Sequence, residues 1–133
     1  MATASTGRKA RPLSPHLQIW RWGPAMAISI LHRITGNGLA IVGLTTLLCW
    51  LGAIVGGPES YAKVAAAAVT IPGRVIFVGL SWAFFNHFAS GLRHFVLDIG
   101  AGFELKENAL WSILSILTGI LFTAAFWAAI LLR

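Results

Sequence analysis

The sequence predicts an all-α integral membrane protein with three transmembrane helices. Hydrophobic residues fill 57% of its 133 positions and charged residues only 11%, against roughly half and a quarter in soluble domains. A chain this short has too little interior to hide so much apolar surface, so its solvent is lipid. The apolar residues also gather into three runs, at about 25–55, 75–97 and 109–132, each long enough for the roughly 20 residues a bilayer requires. By length this is one domain, 1–133. Cys49 stands alone in an apolar run, which excludes a disulfide framework and a cysteine metal site.

Residues 1–22 read as a polar arm followed by an interfacial segment. Pro12 and Pro15 break helical pattern, Arg8, Lys9, Arg11 and Arg21 supply charge, and Trp20 and Trp22 suit the headgroup layer. Pro24 fits a first helical turn, where its missing N–H costs nothing. The first run exceeds a bilayer's need, so its initial third, which contains Ser-Ile-Leu-His-Arg, should lie at the inner interface or be covered by protein. Gly56-Gly57-Pro58 ends that run. Residues 59–71 then suggest a short surface helix, and Pro72-Gly73 breaks the pattern again. Asp98 and Gly100 close the second span, and Glu104, Lys106 and Glu107 mark a polar loop. The third span carries no charge until Arg133.

Three spans put the termini on opposite sides. The arm's four cations, with Arg93 and Lys106, outnumber Lys63, Arg74 and Arg133 on the other face, so the N-terminus is expected in the cytoplasm. The +6 charge is scattered and forms no stripe, which argues against nucleic acid and for topology and anionic lipid. The first fifteen residues lack the apolar core of a cleavable signal. Motif-like sequence begins by Pro12, which favours a bacterial inner membrane over a mitochondrial one. Gly36, Gly38, Gly43, Gly79, Ser90 and Gly91 offer small surfaces for helix contact, and partner subunits are expected to cover them.

The informative residues are polar ones in costly places. At about 1.5 Å per residue, His87 lies roughly 16 Å from the Asp98 end of its helix, whereas Arg93 and His94 lie only about 6–8 Å in. Ser29 and Arg33 lie roughly 8–14 Å from Pro24. In antiparallel helices Ser29, His32, Arg33, Arg93 and His94 therefore collect toward one side, with His87 alone beneath them. His87 reads either as a histidine hydrogen-bonded to a neighbouring helix or as an axial ligand of a b-type haem, since a neutral imidazole in an apolar pocket suits that iron. His94 is about 10 Å further along the same helix and cannot share its iron. His32 is expected at a shallower depth, so a second ligand would come from another chain. Cations above His87 could meet haem propionates, although Arg93 and His94 could equally snorkel to headgroups.

Ser29 and Arg33 are four residues apart and share a helix face, with His32 alongside. A serine in a membrane helix commonly bonds its own preceding turn. Beside Arg33, however, its hydroxyl and a fixed positive charge could converge on a quinone carbonyl and favour the anionic forms reached on reduction.

Three blocks carry a family resemblance: RPLSPHLQIWR at 11–21, SILHRITG at 29–36 and HFASGLRHFVLD at 87–98. Their order and spacing resemble the cytochrome b subunits of succinate dehydrogenase, the larger membrane anchors of respiratory complex II. Trp20 departs from the tyrosine common in the first block. The resemblance implies a haem b shared with the smaller membrane anchor, each subunit giving one histidine. His87 matches the axial ligand and so the metal position, and His32 matches a residue beside the propionates, with Arg33, Arg93 and His94 nearby. Ser29 and Arg33 match the ubiquinone site. The implied partners are the smaller anchor, the iron–sulfur subunit and the flavoprotein subunit, the catalytic centre lying outside this chain. Electrons from succinate would pass through those soluble subunits to ubiquinone. Competing readings are a structural anchor with no cofactor, the anchor of a fumarate reductase, and a small proton-conducting subunit. The last is weakened by the lack of a carboxylate embedded in the membrane.

Overall fold

A computed structural model describes residues 11–132; Arg8, Lys9 and Arg133, counted above for topology, lie outside them. A four-residue helix, α1 (Pro15–Gln18), precedes the spans. The first span is one continuous rod, Pro24–Val55. It comprises α2 (Pro24–Gly38), a π-helical turn (Leu39–Gly43) and α3 (Leu44–Val55). Pro24 occupies its first turn, where its missing N–H leaves nothing unsatisfied. Gly57 ends it at φ 86°, a backbone that side chains with a Cβ rarely adopt. The surface helix follows as α4 (Pro58–Ala68).

The second span, α5 (Ile71–Asp98), starts four residues before the expected 75. Pro72-Gly73 does not merely interrupt the pattern: proline sits in the first turn and the Thr70 hydroxyl caps it by accepting from the Gly73 N–H at 3.2 Å. The third span, α6 (Leu105–Leu131), begins directly after a loop containing Gly100 at φ 84°.

Among the described residues three helices are long and apolar enough to cross a bilayer, and they pack antiparallel in sequence. The end bearing Pro24, Asp98 and Leu105 is the near end; Val55, Ile71 and Leu131 mark the far end. At 32 residues the first span is about 48 Å long, against a hydrocarbon core of about 30 Å. Its surplus lets the near third leave the hydrocarbon.

The interior inverts that of a soluble protein. Buried apolar residues are Ile28, Ala53 and Ala83, whereas Thr35, Asn86, Ser90, Ser112, Ser115 and Thr123 are buried polar ones. Large side chains such as Leu48, Val75, Phe95 and Leu121 face outward. Lipid gives no hydrophobic reason to bury them, so close approach of small residues decides the seam. Gly119 shows this most clearly: a Cβ there would stand 2.8 Å from the Asn86 Cα, so α5 and α6 cross backbone to backbone. Of the small residues expected at contacts, Gly36, Gly43 and Gly91 do face another span, but Gly38 and Gly79 open onto empty space.

The π turn divides the first span's partners. α2 packs against both α5 and α6, whereas α3 packs against α4. An extra residue per turn rotates the inward face, and the far half leaves the bundle. A cavity of about 870 Å³ opens there between α3, α4 and the start of α5.

Candidate functional site

Along α5, His87, Gly91 and His94 recur at intervals of four and three and form one stripe facing α2. Asn86 and Arg93 lie about 100° around the same helix and turn to α6. Neighbouring residues therefore serve different partners.

His87 is half-buried at the α2–α5 seam. Its Nδ1 lies 3.1 Å from the His32 backbone carbonyl. A carbonyl only accepts, so Nδ1 carries the proton and the Nε2 lone pair is bare. The Thr35 hydroxyl donates to the Leu31 carbonyl at 2.7 Å and offers its oxygen to the same His87 N–H at 3.3 Å. The His32 ring stacks on His87, with centroids 3.9 Å apart and planes 8° from parallel. Its Nδ1 meets the Ser90 hydroxyl at 2.6 Å, and Ser90 donates to the His87 carbonyl at 3.1 Å. Each histidine is thus tied to the other's stretch of helix. His94, exposed, sets its ring edge-on to His32 at 5.1 Å.

This stack corrects the expected layering. Counting residues along each axis puts His32 shallower than His87; an offset of three or four residues is about 5 Å, which two imidazoles span. Rings lying face to face also cannot point their nitrogens at one metal from opposite sides. A pair of axial imidazoles cannot come from His32 and His87.

Ser29 is half-buried on the flank of α2 beside His32, and Arg33 is exposed one turn further on. Most hydroxyls in the spans spend their proton on the carbonyl four residues back, as Thr45, Ser81, Ser112 and Thr123 do. No such bond holds Ser29 among the described residues. Ser29 and Arg33 lie on one side of the helix, a hydroxyl and a cation one turn apart.

Arg93 stands apart from this cluster. Its guanidinium donates to the Asn108 side chain on α6, while its Nε is buried without a partner beside a cavity of about 20 Å³. Arg93, six residues from His87 and about 120° around α5, turns to α6, whereas His94 turns to His32. Asn86 is fully buried against Gly119, and neither side-chain polar atom has a partner.

Sequence reasoning passed over Thr35 and Asn108, and it named Gly36 only as a small contact residue. The antiparallel register offers the signal that finds them: the contacts 32 with 90 and 35 with 87 both sum to 122, so one known pair predicts the next.

Residues 7–126 match the family model described as the succinate dehydrogenase/fumarate reductase transmembrane subunit. The chain is similar to the succinate dehydrogenase cytochrome b556 subunit of Paracoccus denitrificans, 38% identical over 104 residues that cover 78% of this chain and 79% of that protein. Its counterpart in Rickettsia bellii is 34% identical over 119 residues, covering 88% and 90%. The mitochondrial cytochrome b560 subunit of Sus scrofa is 33% identical over 103 residues, covering 73% of this chain and 58% of its own length.

Proposed function

This chain belongs to the succinate dehydrogenase/fumarate reductase transmembrane subunit family, and from that premise we propose that it is a haem b- and ubiquinone-binding anchor. Its relatives are membrane cytochrome b subunits of succinate dehydrogenase, an oxidoreductase complex, in bacteria and mitochondria. The curated relatives bear the dehydrogenase name, which favours succinate oxidation over fumarate reduction as the physiological direction.

One observation carries the cofactor assignment. His87 has a protonated Nδ1 anchored to a carbonyl and a bare Nε2 at the half-buried α2–α5 seam, the arrangement that suits a metal-binding imidazole. Among the described residues no three or more His, Cys, Asp or Glu converge. His32 lies face to face with His87 and cannot reach the same iron from the opposite side, so the second axial histidine would come from the smaller anchor. Haem would supply a one-electron store beside the quinone. His32, Arg33 and His94 would balance its propionates, whereas Arg93 is committed to Asn108.

Ubiquinone would bind at Ser29 and Arg33. The free Ser29 hydroxyl would orient a carbonyl by donating to it, and the Arg33 charge would favour the electron-rich forms. Protons would come from water or neighbouring subunits. The near end would face the cytoplasm of a bacterial inner membrane, against the iron–sulfur subunit, with the flavoprotein beyond it.

The test is a reduced-minus-oxidised optical spectrum of the purified complex, with wild type set against His87→Ala. The assignment expects a b-type α-band that the variant loses or shifts. An unchanged band would show that His87 is a helix-tying histidine only.

A further inference from the structure

We propose that residues 32–36 of the first span form a slot that sets the angle and the proton position of the His87 ring, with Thr35 as its positioning residue. This rests on the haem reading above and adds a determinant of the iron's redox potential that lies outside its ligands.

Four contacts define the slot. The His32 ring covers one face of His87 at 3.9 Å. The His32 carbonyl and the Thr35 oxygen share the Nδ1 proton at 3.1 and 3.3 Å. Gly36 closes the Cε1 edge: a Cβ at that position would lie 2.8 Å from Cε1 and 3.4 Å from Nδ1. Glycine is thus what lets the ring lie against the α2 backbone. Three sides and the proton are fixed by α2, and Nε2 is the atom left over.

Thr35 does more than fill space. It is 2% exposed, and the Leu31 carbonyl takes its proton, so its oxygen faces His87 as an acceptor. An acceptor on Nδ1–H pushes electron density toward Nε2 and makes the imidazole a stronger donor. A stronger donor favours the ferric over the ferrous state, which lowers the midpoint potential. The balance is one electron in and one out, with no proton transferred.

The experiment compares Thr35→Val, Thr35→Ser, Gly36→Ala and His87→Ala in the complete complex. It reads the haem midpoint potential by redox titration and the ferric low-spin signal by electron paramagnetic resonance. Thr35→Val keeps the branched shape and removes the acceptor. It should raise the potential by up to about 59 mV, the one-electron equivalent of a tenfold loss of ferric preference. Thr35→Ser restores the hydroxyl and should return the potential to that of wild type. Gly36→Ala should turn the ring and move the low-spin g-values. If Thr35→Val and Thr35→Ser shift the potential equally, or neither variant moves it while His87→Ala abolishes the α-band, the slot is overturned and the ligand assignment survives. If His87→Ala leaves the α-band intact, the ligand assignment itself fails and takes the slot with it.

Discussion

The near end of the α2–α5 seam and the far part of the first span use small polar residues in opposite ways. In the near half hydroxyls and imidazoles reach across helices: Ser90 to His32, Thr35 to His87, and the Arg93 guanidinium to Asn108. In the far half Thr45 and Thr46 turn back onto the Ile41 and Val42 carbonyls, and the space between α3, α4 and α5 is lined by groups such as Trp50, Tyr61, Ile76 and Phe77. A hydroxyl satisfied by its own helix places no demand on a neighbour. One satisfied across a seam fixes register. Chemistry collects where register is fixed.

Breaking the tightest crossing should have the largest effect. Gly119→Ala drives a Cβ into the Asn86 backbone, an overpacking that should cost about 2 kcal/mol. A Cβ at Gly52, in the far half, meets nothing within 4 Å, so Gly52→Ala should stay within about 0.5 kcal/mol. Thermal melts of the detergent-purified complex decide between them, and equal losses would erase the contrast.

Next comes Arg33→Ala, and Ser29→Ala with it. Each should lower succinate:quinone reductase activity about tenfold, a loss of about 1.4 kcal/mol in kcat/KM, while succinate oxidation by an artificial acceptor holds. Parallel loss of both activities would mean failed assembly. Ser90→Ala cuts the tie to His32 and should cost about 1 kcal/mol, within the range of hydrogen bonds between membrane helices, measured by the same melts. The smallest effect belongs to Thr45→Val, whose hydroxyl serves only its own helix; less than about 0.5 kcal/mol is expected, with the haem spectrum unchanged.

The three spans were legible because charge and proline are scarce in lipid and visible in sequence. His87, His32, Arg33 and Ser29 were legible for the same reason: each is expensive where it stands. Thr35 and Gly119 were not, and Gly36 was legible only as a small contact residue, because threonine and glycine are common in membrane helices and nothing local says which one faces an imidazole. The stacking of His32 on His87 escaped a depth count along helix axes, which measures backbone levels and ignores the reach of side chains. The separation of Arg93 from His94 was readable in principle, since consecutive residues diverge by about 100°. It was obscured because depth alone put them together. The four extra residues of α5 were hidden by reading Pro72 as a breaker when it is a first-turn residue.

The pairing of Arg93 with Asn108 also bears on how the chain enters its membrane. The two residues are fifteen positions apart, on the facing arms of a hairpin whose connection is only 99–104. As soon as α5 and α6 fold back on each other, the guanidinium has a partner and no longer has to meet hydrocarbon as a bare charge. Gly119 closes against Asn86 of α5 in the same hairpin. Arg93 therefore depends for its partner on the α5–α6 hairpin and not on α2. The slot around His87, by contrast, exists only when α2 lies against that hairpin.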